Sequence, residues 1–133
     1  MNRIRVLLAD DHKPLLYHVA RMLESDFDVV GALTDGQALL EAATRLQPDV
    51  LVLDISMPGL SGLQVARELK KAGSHAKIVF LTVHEESDFV QESFASGGSA
   101  YVIKPRLGTD LALAIREALA GHTFISPSLS LNN

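Results

Sequence analysis

Apolar residues along this chain follow two alternating rhythms. Short aliphatic runs are each followed by a longer stretch in which apolar residues recur three or four positions apart. The first rhythm is that of strands buried on both faces, the second that of helices with one inward stripe. Ile4 to Ala9 is the first strand, closed by Asp10-Asp11. Pro14 suits the first turn of the following helix, where its missing N–H costs nothing, and Leu15, Leu16, Val19, Ala20 and Leu23 form the stripe. Phe27 to Leu33 is a shorter, less apolar strand, expected near a sheet edge. Asp35 is placed to cap a second helix, whose stripe is Leu39, Ala42, Ala43 and Leu46 and which Gln47-Pro48-Asp49 stops.

Val50 to Ile55 is the third strand and carries Asp54 near its end, before Ser56-Met57-Pro58-Gly59. Ser61 caps a third helix to about Lys71, with Leu63, Ala66 and Leu69 inward and Gly73 as its stop. Lys77 to Thr82 is the fourth strand, and a helix through Phe89, Val90 and Phe94 ends at Gly97-Gly98. Ala100 to Ile103 is a short fifth strand closed by Lys104-Pro105, and a last helix through Leu111, Ile115, Ala118 and Leu119 stops at Gly121. Five strands alternating with five helices predict an α/β fold with a parallel sheet covered on both faces. Residues 1–121 form one domain. Residues 122–133, with several serines and Pro127, read as a linker or frayed tail.

Composition narrows the function classes. At 47% apolar, the 133 residues can bury one real core. A formal charge of −4 disfavours a nucleic-acid surface on this chain, which needs clustered Lys and Arg. The absence of cysteine removes disulfides and thiolate chemistry. No apolar run approaches the ~20 residues of a membrane span, and Met-Asn-Arg-Ile-Arg leads into a strand rather than a signal peptide. The expectation is a cytoplasmic domain with no membrane contact.

Ligands of open parallel sheets bind at the carboxyl ends of the strands. Here those ends hold Asp10 and Asp11, Asp54, Thr82 and Lys104. If the strands concerned are neighbours, these groups converge. An unpaired buried carboxylate is expensive, and clustered carboxylates repel. A hard cation with oxygen ligands, Mg²⁺ above all, is the natural counter-charge. Lys104 offers a second positive charge and Thr82 a hydroxyl donor. Acid, metal, ammonium and hydroxyl make a phosphoryl-transfer site with Asp54 as acceptor. Singly, each residue has a plainer explanation: a turn-forming Asp, a strand Thr, a surface Lys.

Together, Asp10-Asp11 after a strand, Asp54 with Met57-Pro58-Gly59 and Gly62, Thr82, and Lys104-Pro105 resemble the receiver domain of two-component response regulators over Arg3 to about Gly121. The resemblance implies a flavodoxin-like doubly wound (βα)5 sandwich with a five-stranded parallel sheet in the order 2-1-3-4-5. It implies that Asp54 accepts a phosphoryl group from a sensor histidine kinase. Asp11, Asp54 and the Ser56 backbone carbonyl would ligate Mg²⁺, with Asp10 acting through water. Thr82 and Lys104 would contact the phosphoryl group, Tyr101 would be the aromatic switch, and the Lys104–Pro105 peptide would be cis. Ser56 and His84 stand where the family tunes hydrolysis of the acyl phosphate, although His84 reads more simply as an exposed loop residue; the plainer reading of Tyr101, set somewhat behind the switch, is an amphipathic ring with a wet hydroxyl.

The run Ala120 to Pro127 resembles the linker of the NarL/FixJ-type subgroup, whose helix-turn-helix does not follow here. A phosphorylation-dependent homodimer and an output through a missing DNA-binding domain are the family's further implications. Three other functions compete. A haloacid-dehalogenase-type phosphohydrolase would want an acid where Ser56 stands. A flavin or nucleotide binder would want a Gly-rich loop where Asp10 to Pro14 stands. A receiver-like module that is never phosphorylated would not need all of these acids.

Overall fold

The computed structural model describes residues 3–127 and 129. In chain order the elements are β1 (Arg5–Ala9), α1 (Lys13–Leu23), β2 (Asp28–Leu33), α2 (Gly36–Leu46), β3 (Val50–Leu53), α3 (Gly62–Lys71), β4 (Lys77–Thr82), α4 (Ser87–Ala95), β5 (Ala100–Ile103), α5 (Leu107–Leu119) and β6 (Phe124–Ile125). A 3-10 turn over Lys104–Arg106 joins β5 to α5. Every strand pairing is parallel, and the sheet order is β2-β1-β3-β4-β5-β6.

The first five strands take the expected order, with β2 at one edge. The expectation of five strands needs correction. Phe124 and Ile125, an aromatic and a β-branched residue, pair with Ala100 and Tyr101 on the outer edge of β5. An uncovered edge would leave backbone N–H and C=O groups unpaired, and this short run from the stretch expected as linker or tail pairs with some of them. Ser128 and residues 130–133 of that stretch, like Met1 and Asn2 at the start, lie outside the described residues.

Alternation along the strands divides the core in two. Val6, Leu8, Val50, Val52, Val79 and Val102 face α1 and α5. Leu7, Ala9, Leu51, Leu53, Phe80 and Tyr101 face α2, α3 and α4. Most helix stripes fall where the spacing puts them, and α3 is rotated by one position. Gly62 is buried at its first turn, so Val65, Ala66 and Leu69, three, four and seven residues on, share its inner face. Leu63 is only partly buried. The caps form as expected. Asp35 accepts from the Ala38 N–H at 2.8 Å, and Ser61 and Gln64 make a reciprocal capping box. The Lys104–Pro105 bond corrects another expectation: no peptide bond among the described residues is cis. Pro105 sits in the first turn of the 3-10 segment, where its missing N–H is not needed. No helix among the described residues is long and apolar enough to cross a membrane.

Candidate functional site

Strand register builds the site. Ala9 lies beside Leu53, so the next residues, Asp10 and Asp54, leave the sheet side by side. Their backbones are held by the sheet itself, Asp54 N–H donating to the Ala9 carbonyl at 3.2 Å and Asp10 N–H to the Leu33 carbonyl at 3.1 Å. Both side chains are nearly buried, while Asp11 is exposed. Oxygens of Asp10, Asp11 and Asp54 all lie within 4.8 Å of one another. Thr82, at the end of β4, is beside Ile103 of β5, which delivers Lys104 to the same edge.

The Lys104 ammonium bridges the two buried acids, with Nζ 2.8 Å from Asp10 Oδ2 and 2.9 Å from Asp54 Oδ2. Burial alone would depress its pKa. The hydrogen bonds it donates to Asp10 and Asp54, and their charges, outweigh that and hold it above the ordinary lysine range. One ammonium cannot balance three carboxylates, and two negative charges are left over. An all-oxygen donor set of this charge fits a hard divalent cation.

Gly62 is required by close approach. A Cβ there would overlap the Asp54 backbone carbonyl, and the Gly62 N–H donates to the Ile55 carbonyl at 2.8 Å. The start of α3 therefore presses on the loop that presents Asp54.

A second layer joins Ser56, Thr82, His84 and Tyr101. Ser56 N–H reaches Asp54 Oδ1 at 3.4 Å, and its hydroxyl is 2.9 Å from His84 Nε2. The His84 ring stacks on Phe89 with centroids 4.1 Å apart. His84 is thus half-buried and engaged, which corrects the exposed loop residue that the sequence favoured. Its N–H lies 3.4 Å from Thr82 Oγ1, and its carbonyl accepts the Tyr101 hydroxyl at 2.8 Å. Tyr101 is wholly buried, which corrects the picture of a wet hydroxyl. Burial first, then the charges of Glu86, Asp54 and Glu85, push its pKa well above the usual tyrosine range, so it remains a hydrogen-bond donor.

All seven residues singled out from the sequence, Asp10, Asp11, Asp54, Ser56, Thr82, Tyr101 and Lys104, lie at or directly behind this edge. Another group went unnoticed: Arg106, Asp110 and Ser126. Arg106 makes two hydrogen bonds to Asp110, at 3.0 and 3.2 Å. Burial works against Asp110 ionising, yet hydrogen bonds from Arg106, Ser126 and Thr109 hold its pKa below the usual carboxylate range. The four-residue spacing of Arg106 and Asp110 was the available signal, along with the strand-like Phe124-Ile125 before Ser126.

The chain matches the response regulator receiver domain over residues 6–116. It is 37% identical over 131 residues to the uncharacterized transcriptional regulatory protein YvfU of Bacillus subtilis (strain 168), covering 97% of this chain and 66% of that protein. It is 37% identical over 130 residues to the response regulator GacA of Pseudomonas viridiflava, covering 96% and 60%. Among solved structures it is similar to a two-component response regulator of the LuxR family from Aurantimonas sp. SI85-9A1, with a TM-score of 0.86 at 30% identity over 95% of this chain and 91% of that one. The chain spans about two thirds or less of the curated relatives it matches. With the acid pair, the acid after β3, the hydroxyl after β4 and the lysine after β5 drawn to one edge, and with most of its length matched, the chain belongs to the receiver domains of two-component response regulators, which are signalling domains and not classical enzymes.

Proposed function

We propose that Asp54 is the phospho-acceptor and that the phosphoryl donor is a phosphohistidine on a sensor histidine kinase. The observation that carries this is the placement of Asp54: a nearly buried carboxylate beside Asp10, Asp11 and an ammonium at 2.9 Å. An Asp54 carboxylate oxygen attacks phosphorus. The P–N bond breaks, its electron pair leaves with the imidazole, and an acyl phosphate forms. Lys104 and the Thr82 hydroxyl would contact the phosphoryl oxygens. Asp11, Asp54 and the Ser56 carbonyl would hold Mg²⁺, with Asp10 acting through water. When bound, the ion supplies the positive charge that lets a phosphate approach three carboxylates.

Tyr101 is the switch in this reading. Its hydroxyl rests on the His84 carbonyl, and His84 N–H in turn faces Thr82. Drawing Thr82 toward the phosphoryl group disturbs His84 and with it the hold on Tyr101, shifting the population of the α4, β5 and α5 surface. The relatives are transcriptional regulators, so the output is assigned to a DNA-binding domain outside this chain, in a cytoplasmic protein that dimerises when phosphorylated. Residues 1–121 are the receiver, and the segment after Gly121 leads to that output.

The test is a titration with beryllofluoride and Mg²⁺ followed by amide NMR. Once Mg²⁺ is saturating, beryllofluoride should shift amides around Asp54, Thr82 and Tyr101 in wild type and should move none further in Asp54→Asn. A wild-type spectrum unmoved at saturating Mg²⁺ counts against the reading. Sedimentation with and without beryllofluoride checks dimerisation, for which an unchanged mass is the negative result.

A further inference from the structure

The C-terminal strand is joined to β5 in an unusual way. Phe124 N–H donates to the Ser99 carbonyl at 3.3 Å and Ser126 N–H to the Tyr101 carbonyl at 2.9 Å, as a parallel ladder requires. The next rung of such a ladder would run from Ile103 N–H to the Ser126 backbone carbonyl. That carbonyl instead accepts from Leu129 N–H at 3.0 Å. The Ser126 hydroxyl takes its place and accepts the Ile103 N–H at 3.2 Å. Ser126 is fully buried. Its hydroxyl also supports Asp110, itself buried and gripped by Arg106.

These partners bracket Lys104. Ile103 precedes it, Arg106 closes the 3-10 turn that it opens, and Asp110 lies in the first turn of α5. The side chain that bridges Asp10 and Asp54 therefore hangs from a corner whose backbone Ser126 holds from outside the sheet. Three residues before Lys104, the Tyr101 carbonyl is held by the same Ser126.

We propose that Ser126 is a positioning residue for Lys104, tying the segment after Gly121 to the acid site so that docking of that segment and occupancy of the site are linked. As far as occupancy means phosphorylation, this rests on the function proposed above. The linkage is reciprocal: whatever factor docking adds to the affinity of a phosphoryl mimic, the mimic adds to docking. Alanine in place of Ser126 leaves the buried Ile103 N–H without an acceptor, an unfavourable state for a backbone donor, and frees the corner to drift.

The experiment compares wild type with Ser126→Ala in the full chain. One arm follows the Lys104 ammonium resonance and the Ile103 and Tyr101 amides without ligand. The other titrates beryllofluoride at fixed Mg²⁺. The variant should shift the Lys104 resonance, speed hydrogen exchange at Ile103, and raise the beryllofluoride midpoint several-fold at a temperature where it is fully folded. A merely structural serine would lower the melting temperature but leave the Lys104 resonance in place and the midpoint within twofold, and that result overturns the proposal. If the alanine variant does not fold, Ser126→Cys, which keeps the volume but accepts poorly, replaces it under the same criteria. If wild type ignores beryllofluoride while the Lys104 resonance still moves in the variant, the phosphorylation reading fails and the positioning role stands. An unmoved Lys104 resonance refutes the positioning role.

Discussion

Lys104 is the residue on which the unmodified site depends. Asp10 and Asp54 emerge from adjacent strands and would repel each other across a short gap, and the ammonium at 2.8 and 2.9 Å offsets that repulsion. Replacing it with methionine keeps much of the volume and removes the charge. Because the Lys104 side chain is 16% exposed, the cost falls at the low end of the range for breaking a buried ion pair, about 3 kcal/mol. Urea unfolding at neutral pH measures it. The sign with pH follows from the raised pKa. The stabilisation is complete below the unfolded lysine value and disappears as pH rises through the folded one, so the gap between wild type and Lys104→Met narrows only in strong alkali. Tyr101 makes a different prediction. Tyr101→Phe keeps the buried ring and removes only the bond to the His84 carbonyl. Stability should fall by about 1 kcal/mol, while the coupling between beryllofluoride binding and the α4 amides weakens. Unaltered coupling would show that the hydroxyl carries none of the switch.

At the scale of elements, two joints matter. The first is the start of α3 against the loop after β3. Gly62→Ala would drive a methyl group into the Asp54 carbonyl, which is backbone and cannot rotate away. The variant should lose stability and bind beryllofluoride more weakly, whereas Ser61→Ala one residue earlier removes a capping box for about 1 kcal/mol and spares the site. Paired titrations and melts separate the two effects. The second joint is Arg106–Asp110 at the start of α5. Asp110 has a lowered pKa, so its contribution is present above the unfolded carboxylate value of about 3.9 and is lost as pH falls through the folded value. The stability difference between wild type and Asp110→Asn should be widest above about pH 4 and close in stronger acid. A difference that is flat with pH would mean Asp110 is not charged in the folded chain.

For the molecule as a whole, the sheet converts sequence position into proximity. Runs as apolar as Val50 to Leu53 announce buried strands, and each is followed at once by its polar residue, so Asp10, Asp54, Thr82 and Lys104 were legible from the sequence alone. What was not legible arises from register and from weak local signals. Nothing in the spacing of Ser56 and His84 says that their side chains meet at 2.9 Å, because the contact depends on how two loops lie over the sheet. Two residues make a poor strand signal, so Phe124-Ile125 reads as tail until β5 offers an edge. The leftover negative charge predicts that Mg²⁺ stabilises the whole domain, by roughly 1.4 kcal/mol at ten times its dissociation constant, and that Asp54→Asn reduces this; thermal melts against Mg²⁺ measure it. The central claim, that Asp54 takes the phosphoryl group, is tested most directly by incubating the protein with acetyl phosphate and Mg²⁺ and mapping the modified residue by mass spectrometry of its peptides. The account predicts one added phosphoryl group, on the peptide containing Asp54, absent without Mg²⁺ and absent in Asp54→Asn. A phosphoryl group on another residue, or equal labelling of Asp54→Asn, would contradict it.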